Sequence, residues 1–361
     1  MSSISTRLLR WYHTHRRDLP WRKTRDPYRI LVSEVMLQQT QVQTVIPYYR
    51  RWVKRFPSFR SLAHSPLHRV LKLWEGLGYY SRARNLHSLA KSVVKNHRSR
   101  LPSTFEELKA LPGIGRYTAG AILSIAFQKP SPVVDGNVTR VFSRFFGIRQ
   151  DIALPKTQAR LWHLAARLVP RKNPGDYNQA LMELGATLCT PRAPDCPRCL
   201  LSRNCRAKRL GIQEHLPVKK RKPATPHFHI GTGVVWHKGK ILISQRPLKG
   251  LLGGLWEFPG GKQERGESLP ETIRREIQEE LGIIVDVGRK LVKVDHAYSH
   301  FKITLHAHDC IYRSGKVRAQ GVMDWRWARP QELKKFAFPA ANQPVIQKLL
   351  DTTRSAPKDD S

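Results

Sequence analysis

Two patterns of hydrophobic positions divide the chain. From Ser5 to about Arg209 apolar residues recur at spacings of three and four, as at Leu62, Val70, Leu71 and Trp74. Short turns such as Leu111-Pro112-Gly113 separate the segments, so an all-helical domain is predicted over 1–209. Past residue 226 the period changes. Residues 228–236 and 240–245 read as strands joined by a Lys238-Gly239 turn, 302–312 reads as another, and one strong helix covers 269–281. The second domain, 227–350, is therefore expected to be α+β. Residues 210–226 carry three prolines and the run Lys219-Lys220-Arg221-Lys222, which reads as a solvated basic linker, and 351–361 read as a disordered tail. The longest apolar runs are far short of the roughly 20 residues that span a bilayer, and the polar start lacks a signal-peptide apolar region. No membrane partner and a cytoplasmic location are expected.

Charge changes this picture from two domains to two domains on a polyanion. The 361 residues include 64 Lys+Arg and 27 Asp+Glu, a net +37. Residues 1–210 hold 38 of the basic and only 11 of the acidic groups. With 40 % hydrophobic residues the chain can pack cores, so this is not the basicity of a disordered arm. Density of this kind points to phosphate backbones, where counterion release supplies affinity without reading sequence. Ribosomal and membrane-surface proteins share the composition, so charge alone leaves the function open.

Four of the five cysteines, Cys189, Cys196, Cys199 and Cys205, follow a C-x6-C-x2-C-x5-C spacing. Clustered thiols in a reducing compartment suit zinc or a [4Fe–4S] cluster, and the presence of only one C-x2-C pair favours iron–sulfur. Arg192, Arg198, Arg203 and Arg206 lie among them, so the metal is expected to fold a cationic loop that touches phosphates. Cys310, alone in a predicted strand, reads as a small buried hydrophobe.

The stretch 106–127 reads helix, Leu111-Pro112-Gly113-Ile114-Gly115, helix. Gly113 and Gly115 let the backbone approach a phosphate, and the second helix offers unpaired N–H groups; an ordinary helix–helix turn is the plainer reading. Two carboxylates stand in apolar surroundings: Glu34, within Val32-Ser33-Glu34-Val35-Met36-Leu37-Gln38-Gln39-Thr40, and Asp135, within Val134-Asp135-Gly136-Asn137. Breaking an N-glycosidic bond needs one protonated acid for the departing base and one ionised carboxylate beside the cationic sugar. Either residue alone also reads as a helix cap or salt-bridge partner.

Together with Leu19-Pro20-Trp21-Arg22, Trp74-Glu75-Gly76-Leu77-Gly78-Tyr79-Tyr80, Arg116-Tyr117-Thr118-Ala119-Gly120 and the four cysteines, these motifs make the chain resemble the MutY adenine DNA glycosylases of the helix-hairpin-helix, endonuclease III-like superfamily. The resemblance runs over essentially the whole chain. It implies a helix-hairpin-helix glycosylase domain with an iron–sulfur loop, acting as a monomer on duplex DNA with an A:8-oxoguanine or A:G mismatch. By resemblance, Glu34 protonates adenine N7 and Asp135 stabilises the oxocarbenium ion, supported by Tyr117 and Asn137. Trp21 and Arg22 line the adenine pocket, and Tyr79 with Gln39 or Gln43 enters the base stack. Strand-cutting relatives use a lysine in the second hairpin helix. This chain has Tyr117 there, no lysine over 110–128, and Thr139 where some family members have lysine, so it cannot form an imine. A monofunctional hydrolase is expected, with a separate abasic-site endonuclease downstream. A different helix-hairpin-helix glycosylase, for example one acting on thymine mismatches, is the enzyme rival.

In the second domain Gly261-x5-Glu267-x7-Arg275-Glu276-Ile277-x-Glu279-Glu280-x-Gly282-Ile283 is a complete Nudix box. Glu276, Glu279 and Glu280 share a helix face, a set suited to Mg2+ on a diphosphate. Family members carry a Nudix-like domain that recognises 8-oxoguanine, many without the full box, so recognition and residual pyrophosphohydrolase activity both stand as readings. Tyr298-Ser299-His300 matches the family's F-S-H loop and favours recognition. A Nudix hydrolase merely tethered to DNA by its basic half is the rival from another class.

Overall fold

The computed structural model describes residues 4–220, 225–298 and 300–354. It falls into two compact units. One takes the described residues of Met1–His64 and Asn85–Lys222, the other those of Ser65–Arg84 and Pro223–Ser361.

The first unit is helical, as expected. Its core gathers Leu8, Tyr12, Ile30, Ala121, Val138, Phe142, Leu161, Tyr177 and Leu184 from six helices. Two of these are apolar on nearly every side: Pro27–Leu37, with Ile30 to Met36 buried, and Arg116–Ile125, with Thr118 to Ile125 buried. A helix buried all round can bring a carboxylate into dry surroundings, which an amphipathic surface helix cannot. Local signals fix their starts. The Asp26 side chain accepts from Tyr28 N–H ahead of Pro27, and Asp135 accepts from Val138 N–H to open Gly136–Phe146, which ends at left-handed Gly147. The first half of the expected linker is not free chain. Leu216 is buried, its carbonyl accepts from Arg144, and the Val218 carbonyl accepts from Ile152 N–H. Within the linker, residues 221–224 lie outside the described residues.

The second unit is a three-layer α+β body. Its sheet comprises β1 (His227–His237), β2 (Lys240–Gln245), β3 (Trp256–Glu257), β4 (Gly260–Lys262), β5 (Ile283–Ala297), β6 (Lys302–Gly315) and β7 (Asp324–Ala328). The order is β3-β2-β1-β6-β5, with β4 on β1 and β7 on β2; β1 and β6 run parallel and the other pairs antiparallel. One face packs Ile273, Ile277 and Leu281 of the helix Leu269–Leu281 against Val235, Leu242 and Cys310. The other packs Val345, Ile346 and Leu349 of Gln343–Arg354 against Val234, Ile243 and Leu305. The expected strands and helix are present. Absent from the sequence reading were β5, whose alternation is broken by three register shifts, the short β3, β4 and β7, and the last helix, which continues through 351–354 where a disordered tail was expected. The rest of that tail lies outside the described residues.

Segment 65–84 belongs to this second unit. Lys72 Nζ donates to the Phe336 carbonyl at 2.8 Å, Glu75 accepts from Phe338 N–H at 2.8 Å and Gln343 Nε2 at 3.2 Å, and Arg84 Nη1 donates to the Gly253 carbonyl at 2.6 Å. The unit thus incorporates a stretch that the sequence reading assigned to the first domain.

Candidate active site

The buried helix Pro27–Leu37 carries Glu34, which is 6 % exposed. Burial pushes its carboxyl up to about 7, aided by nearby Asp135 and opposed by a hydrogen bond from Tyr117 and by the Arg22 cation. Tyr117 Oη donates to Glu34 Oε2 at 2.8 Å and lies 3.3 Å from Met182 Sδ. Asp135 also loses solvation, which raises its pKa. Val138 N–H at 2.7 Å and Asn137 Nδ2 at 2.9 Å donate to it and oppose that rise, as does the Arg140 charge. Asp135 is therefore a helix cap and a buried carboxylate together. The two carboxyl groups differ in what they accept: Glu34 takes one phenol, Asp135 two N–H donors that favour the ionised form. Such a difference suits the pairing of a protonated acid with an ionised carboxylate.

Trp21 is buried edge-on to Tyr49, with ring centroids 5.4 Å apart. Arg22 donates to Glu183 Oε2 at 2.7 Å and to the Arg17 carbonyl at 3.1 Å, and stacks on Tyr12 at 5.3 Å. Glu183 was missed in the sequence. Its only signal was a lone acid in the apolar run Ala180-Leu181-Met182-Glu183-Leu184. Arg140 was missed too. It donates to Asn137 Oδ1 at 2.8 Å, to the Gly185 carbonyl and to the Cys189 carbonyl, both at 2.7 Å, tying the cysteine loop to the Asp135 helix. Gly185 is needed for that approach, because a Cβ there would meet Asn137 Cβ at 2.5 Å.

In the hairpin, Gly113 has φ +78° and a Cβ would strike Asn85 Cβ at 2.7 Å, so only glycine fits. Gly115 caps the Arg116–Ile125 helix with ordinary extended geometry, and a Cβ there would meet open space. Both are exposed at the helix N-terminus, where a phosphate oxygen would meet backbone donors. Gln39 and Gln43 are exposed, and Gln39 holds a left-handed φ of 54°. Such a backbone in a non-glycine residue is a mark of a site held by its surroundings.

Cys189, Cys196, Cys199 and Cys205 line one small cavity of about 30 Å3 with Arg144, Pro194 and Lys208. Burial and the neighbouring cysteines push Cys199 up to about 11. A thiol-only donor set closing on one cavity fits a cysteine-bound metal group. Arg144, buried and also missed in the sequence, lies 3.3 Å from Cys189 Sγ and donates to the carbonyls of Thr190, Pro191 and Leu216. Among the arginines of this loop, Arg198 pairs with Asp195 while its side chain stays 78 % exposed, and Arg206 packs over Gly147.

In the second unit a cavity of about 360 Å3 is lined by Tyr79, Arg84, Leu251, His296, Tyr298 and His300. Tyr79 has φ 47°, and Arg82 stacks between its ring and that of Trp74. Tyr298 stacks on Phe301 at 4.8 Å, and its N–H bonds to the Phe301 carbonyl, which sets the turn. Ser299 lies outside the described residues. Three of the four Nudix-box glutamates gather around Arg275. Arg275 bonds Glu267 at 2.6 Å, Glu276 at 3.0 Å and Glu279 at 3.2 Å, and Glu267 also accepts from Thr272 and Glu264 N–H. Glu267 is accordingly held down to about 2 and serves as a brace rather than an open ligand. Glu280 is pushed up to about 8, by burial first and then by Glu257 and Glu276. Among the described residues, the four cysteines and the box glutamates included, no three His, Cys, Asp or Glu side chains gather as a single metal ion requires. No helix among them is long and apolar enough to cross a membrane.

Comparison with known proteins gives the family of both units. Residues 32–167 match the HhH-GPD superfamily of base excision DNA repair proteins, and residues 231–348 match the NUDIX domain. The chain is 38 % identical over 396 residues to the adenine DNA glycosylase of Homo sapiens, covering 94 % of this chain and 72 % of that protein. It is 35 % identical over 395 residues to that of Schizosaccharomyces pombe, covering 91 % and 85 %. The solved structure of a thermostable thymine-DNA glycosylase matches with a TM-score of 0.53 at 34 % identity, over 57 % of this chain and 95 % of that one. With its helical hairpin unit, its C-terminal Nudix unit and kinship along nearly its whole length, the chain belongs to the adenine DNA glycosylases, the base excision repair enzymes that hydrolyse an N-glycosidic bond.

Proposed function

We propose that the chain excises adenine lying opposite 8-oxoguanine or guanine in duplex DNA, with Glu34 as acid and Asp135 as carboxylate partner. The observation that carries the reading is the pairing of a carboxyl pushed up to about 7 with a second one that accepts two N–H donors. Adenine is flipped into the Trp21–Arg22 pocket. As the bond between the sugar C1′ and the base breaks, the Glu34 proton passes to N7, and the electron pair of the broken bond leaves with the base. The sugar cation forms beside the Asp135 carboxylate, water adds to C1′, and its proton returns to a carboxylate. Tyr117 holds Glu34 and Asn137 holds Asp135. Lacking a lysine on the hairpin's second helix, the enzyme leaves an intact abasic strand for a separate endonuclease.

The hairpin Gly113 to Gly115 grips phosphate, while Gln39 or Gln43 and Tyr79 fill the stack. Tyr298 and His300, with Ser299 by resemblance, read the oxidised guanine. Cys189, Cys196, Cys199 and Cys205 would hold a [4Fe–4S] cluster, which folds a phosphate-facing loop and takes no part in bond breaking. The net charge supports residence on the nucleoid of the cytoplasm. The second unit acts in recognition, since Arg275 already engages three of the four box glutamates expected at Mg2+.

A thymine-directed activity is the second reading, favoured by the 34 % identity to a thymine-DNA glycosylase. A duplex panel with A, T, G or C opposite 8-oxoguanine, treated with alkali after reaction, separates the two. Adenine is expected to be released fastest; preferred release of thymine contradicts the proposal.

A further inference from the structure

We propose that Glu183 is the positioning residue of the excision pocket, anchoring Arg22 beside Glu34 and cancelling its charge there, so that the proton stays on Glu34 until the base departs. The inference rests on the reading of Glu34 as the acid. Glu183 is fully buried, and its carboxylate accepts from four donors. These are Arg17 N–H at 3.0 Å, Arg17 Nε at 2.8 Å, Arg17 Nη2 at 2.7 Å and Arg22 Nη2 at 2.7 Å. The Arg22 side chain is only 10 % exposed, so solvent screens it little. The preceding residue, Met182, presents its sulfur to the Tyr117 hydroxyl that bonds Glu34, which sets the pair against the wall of the acid site.

Glu34 faces Tyr117, Asp135 and Arg22. Glu183 faces Arg17 and Arg22, with Tyr12 close by and Arg16 and Asp176 beyond it. Asp135 faces Asn137 and Arg140. The cluster of Arg17, Arg22 and Glu183 carries one net positive charge. Removing the Glu183 charge leaves the Arg22 cation beside Glu34 without its counter-charge, which favours the ionised form of Glu34. Removing the Arg17 charge leaves a neutral pair and favours the protonated form. The acid must be protonated to act, so activity holds below its titration point and falls as pH rises through it.

The test is single-turnover excision by the full chain on an adenine:8-oxoguanine duplex between about pH 5 and 9, for wild type, Glu183→Gln and Arg17→Met. The alkaline midpoint is expected to move down by about one unit in Glu183→Gln, equivalent to about tenfold in rate on that side, and to move up in Arg17→Met. Rates lowered equally at every pH with unmoved midpoints, or midpoints moving in one direction together, overturn the proposal. Should Glu183→Gln fail to fold by circular dichroism, Arg17→Met alone decides, and a midpoint that does not rise overturns it. Glu34→Gln separates the two levels. If it keeps its rate, the reading of the acid is wrong. If it is inactive while the other midpoints stay in place, only the role of Glu183 is lost.

Discussion

Glu34 of the helical unit and Glu267 of the sheet unit are carboxylates in opposite surroundings. In the helical unit the acidic groups are few, and Glu34 sits in a dry helix with one phenol as its hydrogen-bond partner, which leaves its carboxyl at about 7. In the sheet unit acidic groups crowd residues 267–280, and Arg275 holds Glu267 at about 2 while bonding Glu276 and Glu279. The same side chain is thus an acid reservoir in one place and a brace in the other. At these two side chains the neighbour decides, a phenol and apolar walls keeping the proton on Glu34 and a guanidinium holding it off Glu267, whereas at Glu257 burial outweighs the paired Arg246 and raises the carboxyl. Within the helical unit Glu183 repeats the contrast, held down to about 2 by Arg17 and Arg22 despite its burial.

The sharpest way to break this comparison is to neutralise one carboxylate. Glu34→Gln should lower single-turnover excision by about a thousandfold, within the range for loss of a general acid, with duplex binding little changed. A near-normal rate would remove the distinction between the units. A smaller effect is expected from Arg144→Met. It strands the Thr190, Pro191 and Leu216 carbonyls beside the cysteines and should cost about 3 kcal/mol or more, seen as a lower unfolding midpoint with reduced iron content. The smallest is expected in the sheet unit. The full chain with Mg2+ and 8-oxo-dGTP should show no turnover above that of Glu279→Gln, and turnover lost on that substitution would make the box a hydrolase after all.

How much of this was legible follows from range along the chain. The hairpin, the cysteine spacing and the helix Leu269–Leu281 are local, written in glycine, cysteine and periodicity, and the structure has them where the sequence placed them. Glu34 and Asp135 were legible as acids in apolar runs. The partners that set their behaviour come from elsewhere: Tyr117 is 83 residues from Glu34, and Arg17 is 166 from Glu183. No period or spacing encodes such pairs. Strand β5 was hidden for a different reason, since it is a polar edge strand with register shifts and little alternation. The inclusion of 65–84 in the sheet unit rests on side-chain to backbone bonds that composition cannot signal.

The central claim is that a protonated Glu34 and an ionised Asp135 act together. The most direct test is the pH dependence of single-turnover adenine excision by the full chain. A bell is predicted. Its alkaline limb falls near pH 7, where Glu34 loses its proton, and its acid limb lies above the usual aspartate range, where burial makes Asp135 take one up. A rate that stays flat through pH 7 and above would contradict the account.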